Sequence, residues 1–192
     1  MVKELREKTG AGMMDCKEAL TKCSGDFEKA IDHLRKKGMS SATKRSSKAA
    51  KDGVIASYIH MGGKIGVLVE LNCETDFVAK TDDFRLLAKE LTMHVAAANP
   101  RYLKSEDIPA EVLEREKEIY RSQALAEKKP EKIWDKIIEG KLKKYYEDVC
   151  LMDQKFIKDT ALTIGTLVSN MIAKTGENIV IRRFVRFQLG AD

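Results

Sequence analysis

Three histidines, His33, His60 and His94, and four cysteines, Cys16, Cys23, Cys73 and Cys150, are the side chains best suited to hold a metal or carry a nucleophilic mechanism. Their spacing supports neither. No H-E-x-x-H or C-x-x-C pair brings two ligands to one helix face, so the histidines read as helical or surface residues. Cys16 and Cys23 fall on the apolar phase of a predicted helix and read as free buried thiols. Gly62-Gly63 is a hairpin turn without the G-x-x-x-x-G-K-[ST] pattern of a phosphate loop, and there is no G-x-S-x-G elbow. Glu70 and Glu74 could serve as paired acid and base, yet strand alternation and charge account for them. The chain is not expected to be an enzyme, with no catalytic residue, metal site or cofactor.

One short stretch breaks its local pattern. Thr75-Asp76-Phe77-Val78-Ala79-Lys80 sets a carboxylate beside a large aromatic where an apolar strand has just ended. Thr75 can cap a short helical turn, which puts Asp76 where the helix dipole favours negative charge. Two readings remain: a first-turn acid with an aromatic packed under a sheet, or a site that meets a partner. Pattern alone does not separate them.

The elements around this stretch follow from hydrophobic period. Val2 and Leu5, then Met13, Cys16, Leu20 and Cys23, then Phe27, Ala30, Ile31 and Leu34 mark three short helices. Thr9-Gly10-Ala11-Gly12 turns between the first two, Asp26 caps the third and Gly38 ends it. From Val54 the period becomes alternating: Val54 to His60, a turn at Met61-Gly62-Gly63-Lys64, and a return strand with Ile65, Val67, Val69, Leu71 and Cys73 on one face. A helix capped by Thr81 carries Phe84, Leu87, Leu91, Val95 and Ala98 and stops at Asn99-Pro100. Ala110 to about Glu127 and Glu131 to Tyr146 read as a helical hairpin turning at Lys128-Lys129-Pro130. A last helix through Ile164, Leu167, Val168, Met171 and Ile172 ends at Gly176. In the final strand Ile179, Ile181, Val185, Phe187 and Leu189 are expected on one face. The predicted class is α+β: a three-helix module over 1-38, a basic linker over 39-52, and over 53-192 a core with a small three-stranded antiparallel sheet packed with helices.

Composition bounds the partners. With 192 residues, 34% of them charged, 43% apolar and a net charge of +5, the chain can bury a core and tolerates an acidic partner without requiring one. No apolar run approaches the roughly 18 residues of a membrane span, and Met1-Val2-Lys3-Glu4 opens a charged helix, so a cytoplasmic protein without membrane contact is expected. Between Asp32 and Asp52 stand Arg35, Lys36, Lys37, Lys44, Arg45, Lys48 and Lys51 with no acid among them. No aromatic is interleaved to stack on bases, so this is read as a solvated linker, helical in its Ala-rich part, and no direct nucleic-acid binding is expected.

Two longer motifs change the basis of the argument. Leu5-Arg6-Glu7-Lys8-Thr9-Gly10-Ala11-Gly12-Met13-Met14-Asp15-Cys16-Lys17 resembles the N-terminal signature of the bacterial elongation factor Ts family, and Asn72-Cys73-Glu74-Thr75-Asp76-Phe77-Val78-Ala79 resembles its second signature. Met93 to Ala97 and Arg183 to Phe187 are also similar to that family. Nearly the whole chain is covered, in the short, single-core form without the duplicated core and coiled-coil insertion of longer members. The resemblance implies a ubiquitin-associated-like N-terminal module and an exchange factor that binds elongation factor Tu, GDP-bound and nucleotide-free. It implies that Thr75, Asp76, Phe77, Val78 and Ala79 intrude at the partner's Mg²⁺ site, and that Leu5, Arg6, Thr9, Gly10, Ala11, Gly12, Met13 and Met14 belong to the docking module. Short members pair, so a homodimer is expected.

Overall fold

The computed structural model describes residues 1–191, without the side chains of Met39, Ser41, Ala42, Thr43 and Lys44. Lys44 of the basic stretch and residue 192 of the expected core therefore lie outside the described set. The chain forms two compact units, Met1–Met93 with the stretch from Gly165 onward, and His94–Ile164.

The first unit opens with helices α1 (Val2–Thr9), α2 (Met13–Lys22) and α3 (Phe27–Arg45). Leu5, Cys16, Ala19, Leu20, Ala30 and Leu34 form their shared core, with Val2, Ala11, Cys23, Phe27 and Ile31 packed against it. The spacings of three and four seen in the sequence thus become one apolar stripe per helix. Asp26 caps α3 through its Oδ1, which accepts the Lys29 N–H at 3.0 Å. The expected end at Gly38 is corrected: α3 runs on to Arg45, so 39–45 of the expected linker is helical. Gly38 is buried, and a Cβ there would lie 3.5 Å from the Cβ of Ala173. The tertiary contact outweighs the roughly 1 kcal/mol that glycine costs inside a helix.

Strands β1 (Asp52–Ile59) and β2 (Ile65–Cys73) form the expected hairpin, and β5 (Val180–Gln188) joins the other side of β2, giving an antiparallel sheet of order β1-β2-β5. Gly53 is required in β1. Its φ is +145°, and a Cβ would fall 2.1 Å from the Leu71 carbonyl oxygen. Val67, Val69, Leu71 and Ile181 are buried on the inner face, along with Phe84, Leu87 and Leu91 of α5 (Asp82–Ala98) and Val168 and Ile172 of α8 (Ile164–Thr175).

The single-face expectation for the last strand fails at a β-bulge. Arg183 pairs with Glu70 and Ile181 with Leu71, leaving Arg182 as an extra residue at the register shift. Alternation is reset there. Ile181 is buried inward, whereas Val185, opposite Leu68, and Phe187, opposite Gly66, turn outward and are exposed.

The second unit holds the helical hairpin α6 (Ala110–Ala126) and α7 (Trp134–Val149), α7 preceded by a 3-10 turn at Glu131–Ile133. The connection is closed by the Lys129 N–H on the Ala124 carbonyl at 3.0 Å and by the Trp134 indole N–H on the Lys129 carbonyl at 2.9 Å. A small hairpin of β3 (Lys155–Phe156) and β4 (Asp159–Thr163) was not foreseen; two residues in one arm are too few for a period. In this unit His94 is fully buried at the end of α5's apolar face. Gln154 donates to the Asp148 carbonyl at 2.8 Å, which turns its Oε1 toward His94 Nε2 at 3.0 Å. The ring therefore carries its proton on Nε2, and Nδ1 has no partner among the described residues.

Burial holds the His94 pKa below its ordinary value of 6.5, the Gln154 contact opposing this only in part. A base with a depressed folded pKa binds fewer protons folded than unfolded, so its contribution is full above the unfolded pKa and is lost as pH falls. The thermal midpoint should drop between pH 7 and pH 5.5, and drop less in His94→Leu. Calorimetry across that window measures both.

Candidate functional site

The stretch singled out in the sequence forms a four-residue helix, α4 (Asp76–Ala79), directly after β2. Its i to i−4 bonds are long, the Ala79 N–H reaching the Thr75 carbonyl at 3.4 Å and the Lys80 N–H the Asp76 carbonyl at 3.2 Å, and the Thr81 N–H closes the turn on the Val78 carbonyl at 3.0 Å. An isolated turn of this length is unstable in water. It persists because its N-terminal edge is held from outside.

Thr75 sits at the N-cap with extended backbone, φ −130° and ψ 155°, but its side chain does not cap the helix. The hydroxyl instead donates to Glu177 Oε1 at 2.6 Å, while Glu177 Oε2 accepts the N–H groups of Thr75 and Glu74, each at 3.1 Å. The Glu74 carboxylate reciprocates. It accepts the Asn178 N–H at 2.7 Å on Oε1 and the Lys48 ammonium at 3.2 Å on Oε2, with Arg45 3.9 Å away. The Asn178 N–H first, then the Lys48 ammonium, hold the Glu74 carboxyl below its ordinary range. Asn178 also donates to the Lys48 carbonyl at 2.7 Å. Arg45 and Lys48 of the basic stretch are thereby engaged with an acid.

On this anchored edge Phe77 is 80% exposed. The alternative in which it packs beneath the sheet is excluded; Phe84, seven residues on, is the fully buried aromatic. Asp76 is exposed and paired with Lys80, whose ammonium holds its carboxyl below the ordinary carboxylate range. Val78 is half-buried and Ala79 buried, so they back the turn. Cys73 lies beneath, its thiol donating to the Thr75 carbonyl at 3.1 Å and pushed up to about 11 by burial.

The N-terminal signature divides in the same way. Leu5 is fully buried and supports the module from within. Thr9 donates to the Leu5 carbonyl at 2.6 Å and accepts the Ala11 N–H at 3.3 Å, while Gly10 takes the left-handed φ of +68° that ends α1. Arg6, Gly12, Met13 and Met14 are exposed, Met14 at 74%, and Ala11 is half-buried. Two exposed methionines after a rigid turn give an adaptable apolar surface. Glu177, which no sequence motif flagged, is the residue the sequence reading missed. A carboxylate just after the predicted stop at Gly176 was its only signal.

A family model described as Elongation factor TS matches residues 18–191. The chain is 78% identical over its whole length to Elongation factor Ts of Syntrophus aciditrophicus (strain SB), covering 96% of that protein. The chain belongs to the elongation factor Ts family. It is also 57% identical over 190 residues to Elongation factor Ts of Desulfosudis oleivorans (strain DSM 6200 / JCM 39069 / Hxd3), covering 99% of this chain and 96% of that one. With Elongation factor Ts of Moorella thermoacetica (strain ATCC 39073 / JCM 9320) it shares 60% identity over 189 residues, 98% of this chain and 93% of the relative. Each of these elongation factor Ts relatives is matched over 98% or more of this chain.

Exposure separates the two phenylalanines energetically. Phe77→Ala should change the unfolding free energy by less than about 0.5 kcal/mol, whereas Phe84→Ala should cost about 3 to 5 kcal/mol. Urea unfolding of both variants measures the contrast.

Proposed function

We propose that the chain is a translation elongation factor acting as a guanine-nucleotide exchange factor for elongation factor Tu. It binds the GDP-loaded partner, Phe77 inserts beside the Mg²⁺ site, the ion and phosphate contacts are disturbed, and GDP leaves. The complex persists until GTP rebinds. The observation that carries this reading is the 80% exposure of Phe77 on a turn anchored at its edge. An aromatic this exposed gains little burial energy in its own fold and is available to a partner.

The magnitudes require more than one contact. Burying a phenylalanine contributes about 1.5 to 3 kcal/mol, and about 1.4 kcal/mol off a barrier is tenfold in rate. One wedge thus supplies roughly tenfold to a hundredfold. The remainder falls to docking by the N-terminal module, read as ubiquitin-associated-like, through Arg6, Thr9, Gly10, Ala11, Gly12, Met13 and Met14, with Leu5 beneath. Only preferential binding to the nucleotide-free partner shifts the balance, and by linkage nucleotide must in turn weaken the complex. Asp76, held by Lys80 in the free chain, keeps the turn in register by meeting a cation or backbone donor of the partner. Phe77→Ala should slow release of labelled GDP in stopped flow at least severalfold with the fold intact, and Asp76→Ala should lose less, chiefly in affinity. Unchanged kinetics for Phe77→Ala would defeat the wedge.

The second reading concerns pairing. The outward sheet face exposes Ile55, Ile59, Leu68, Val185 and Phe187 around the Glu70–Arg183 ion pair, with Ile55 68% and Phe187 66% exposed. A contiguous apolar face of this kind suits a second copy of the chain, since a two-fold interface uses the same patch twice. Sedimentation should give a dimer for the wild type and a monomer for Phe187→Glu; a wild-type monomer contradicts pairing.

A further inference from the structure

The geometry points to Glu177 as the positioning residue of the Phe77 turn. This inference rests on the exchange reading and adds the group that makes the wedge stiff. A four-residue helix whose i to i−4 bonds are 3.4 and 3.2 Å long has little of its own to resist the force of insertion, and an aromatic that swings away on contact transmits none. Glu177 removes that freedom at the turn's first residues. Its two oxygens take three donors, the Thr75 hydroxyl, the Thr75 N–H and the Glu74 N–H, in bonds strengthened by the carboxylate charge. The return contact of the Asn178 N–H on Glu74 makes the clasp reciprocal across about a hundred residues of chain. Both strands it joins, β2 and β5, are paired neighbours through Leu71 and Ile181, so the clasp is fixed to the sheet.

Thr75 makes no capping bond. Its hydroxyl is turned toward Glu177, and the Phe77 and Val78 end of the turn has no side-chain cap. Local helix stability is given up for a fixed attachment to the core, the arrangement expected of a rigidly presented contact. Glu177 does not touch the partner in this account. It acts through Thr75.

The test is stopped-flow release of labelled GDP from elongation factor Tu as a function of factor concentration. Glu177→Gln keeps the size of the side chain but sets an NH₂ donor against donors. It should lower the saturating release rate about tenfold with little change in the half-saturating concentration, and should cause no further loss in a Phe77→Ala background. A merely structural role would instead reduce active protein and add to the Phe77 defect. Should Glu177→Gln fail to fold, Thr75→Val removes only the hydroxyl donor and carries the same two readouts with a smaller loss. A wild-type saturating rate, or full additivity with Phe77→Ala, overturns the role of Glu177. Phe77→Ala releasing GDP at the wild-type rate would overturn the exchange reading itself, and this inference with it.

Discussion

A phenylalanine left 80% exposed on a four-residue helical turn keeps its place only if something other than its own side chain holds that turn. The exchange of carboxylate bonds between residues 74–75 and 177–178 does so. It joins the end of β2 to the start of β5 and draws in Arg45 at the end of α3 and Lys48 just beyond it. Its exposed ion pairs contribute little by themselves, since solvent screens them. The bonds to backbone N–H groups, partly shielded and bidentate, matter more. Acid would act here with a definite sign: the depressed Glu74 pKa means its contribution is full above about pH 4.5 and is lost as pH falls through the lower folded value.

Much of this frame was legible in the residues. The strand and helix periods located the β1–β2 hairpin, α5 and the α6–α7 hairpin, because each buries one face over several turns or alternations. Asn99-Pro100 and Lys128-Lys129-Pro130 stopped helices as their backbone chemistry requires; Asn99 takes φ 49° and Lys128 φ 53°. What escaped was tertiary. Nothing local announces that Gly38 will be covered by Ala173, or that Arg182 will be a bulge that sends Val185 and Phe187 to the opposite face from Ile181.

The site was half legible. Thr75, Asp76 and Phe77 drew notice because a bare acid and an aromatic interrupt a strand's end, but spacing leaves such an aromatic free to pack or to protrude. Exposure decides between them, and exposure is a property of the folded whole. Thr75 looked like a cap because threonine before an acid usually is one; the structure gives its hydroxyl to Glu177, a partner 102 residues away. Leu5, inside a motif associated with docking, is a core side chain, so that motif mixes residues that present the surface with one that supports it.

The proposed mechanism joins these parts: a module with exposed methionines docks, the anchored turn inserts Phe77, and the partner's Mg²⁺ is the quantity displaced. The most direct measurement is the release rate of labelled GDP from elongation factor Tu with and without this chain, first in Mg²⁺ and then after its removal by a chelator. The account predicts a large acceleration in Mg²⁺ and a much smaller one without it, because the ion the chain would displace is already gone. No acceleration, or the same factor under both conditions, would contradict it.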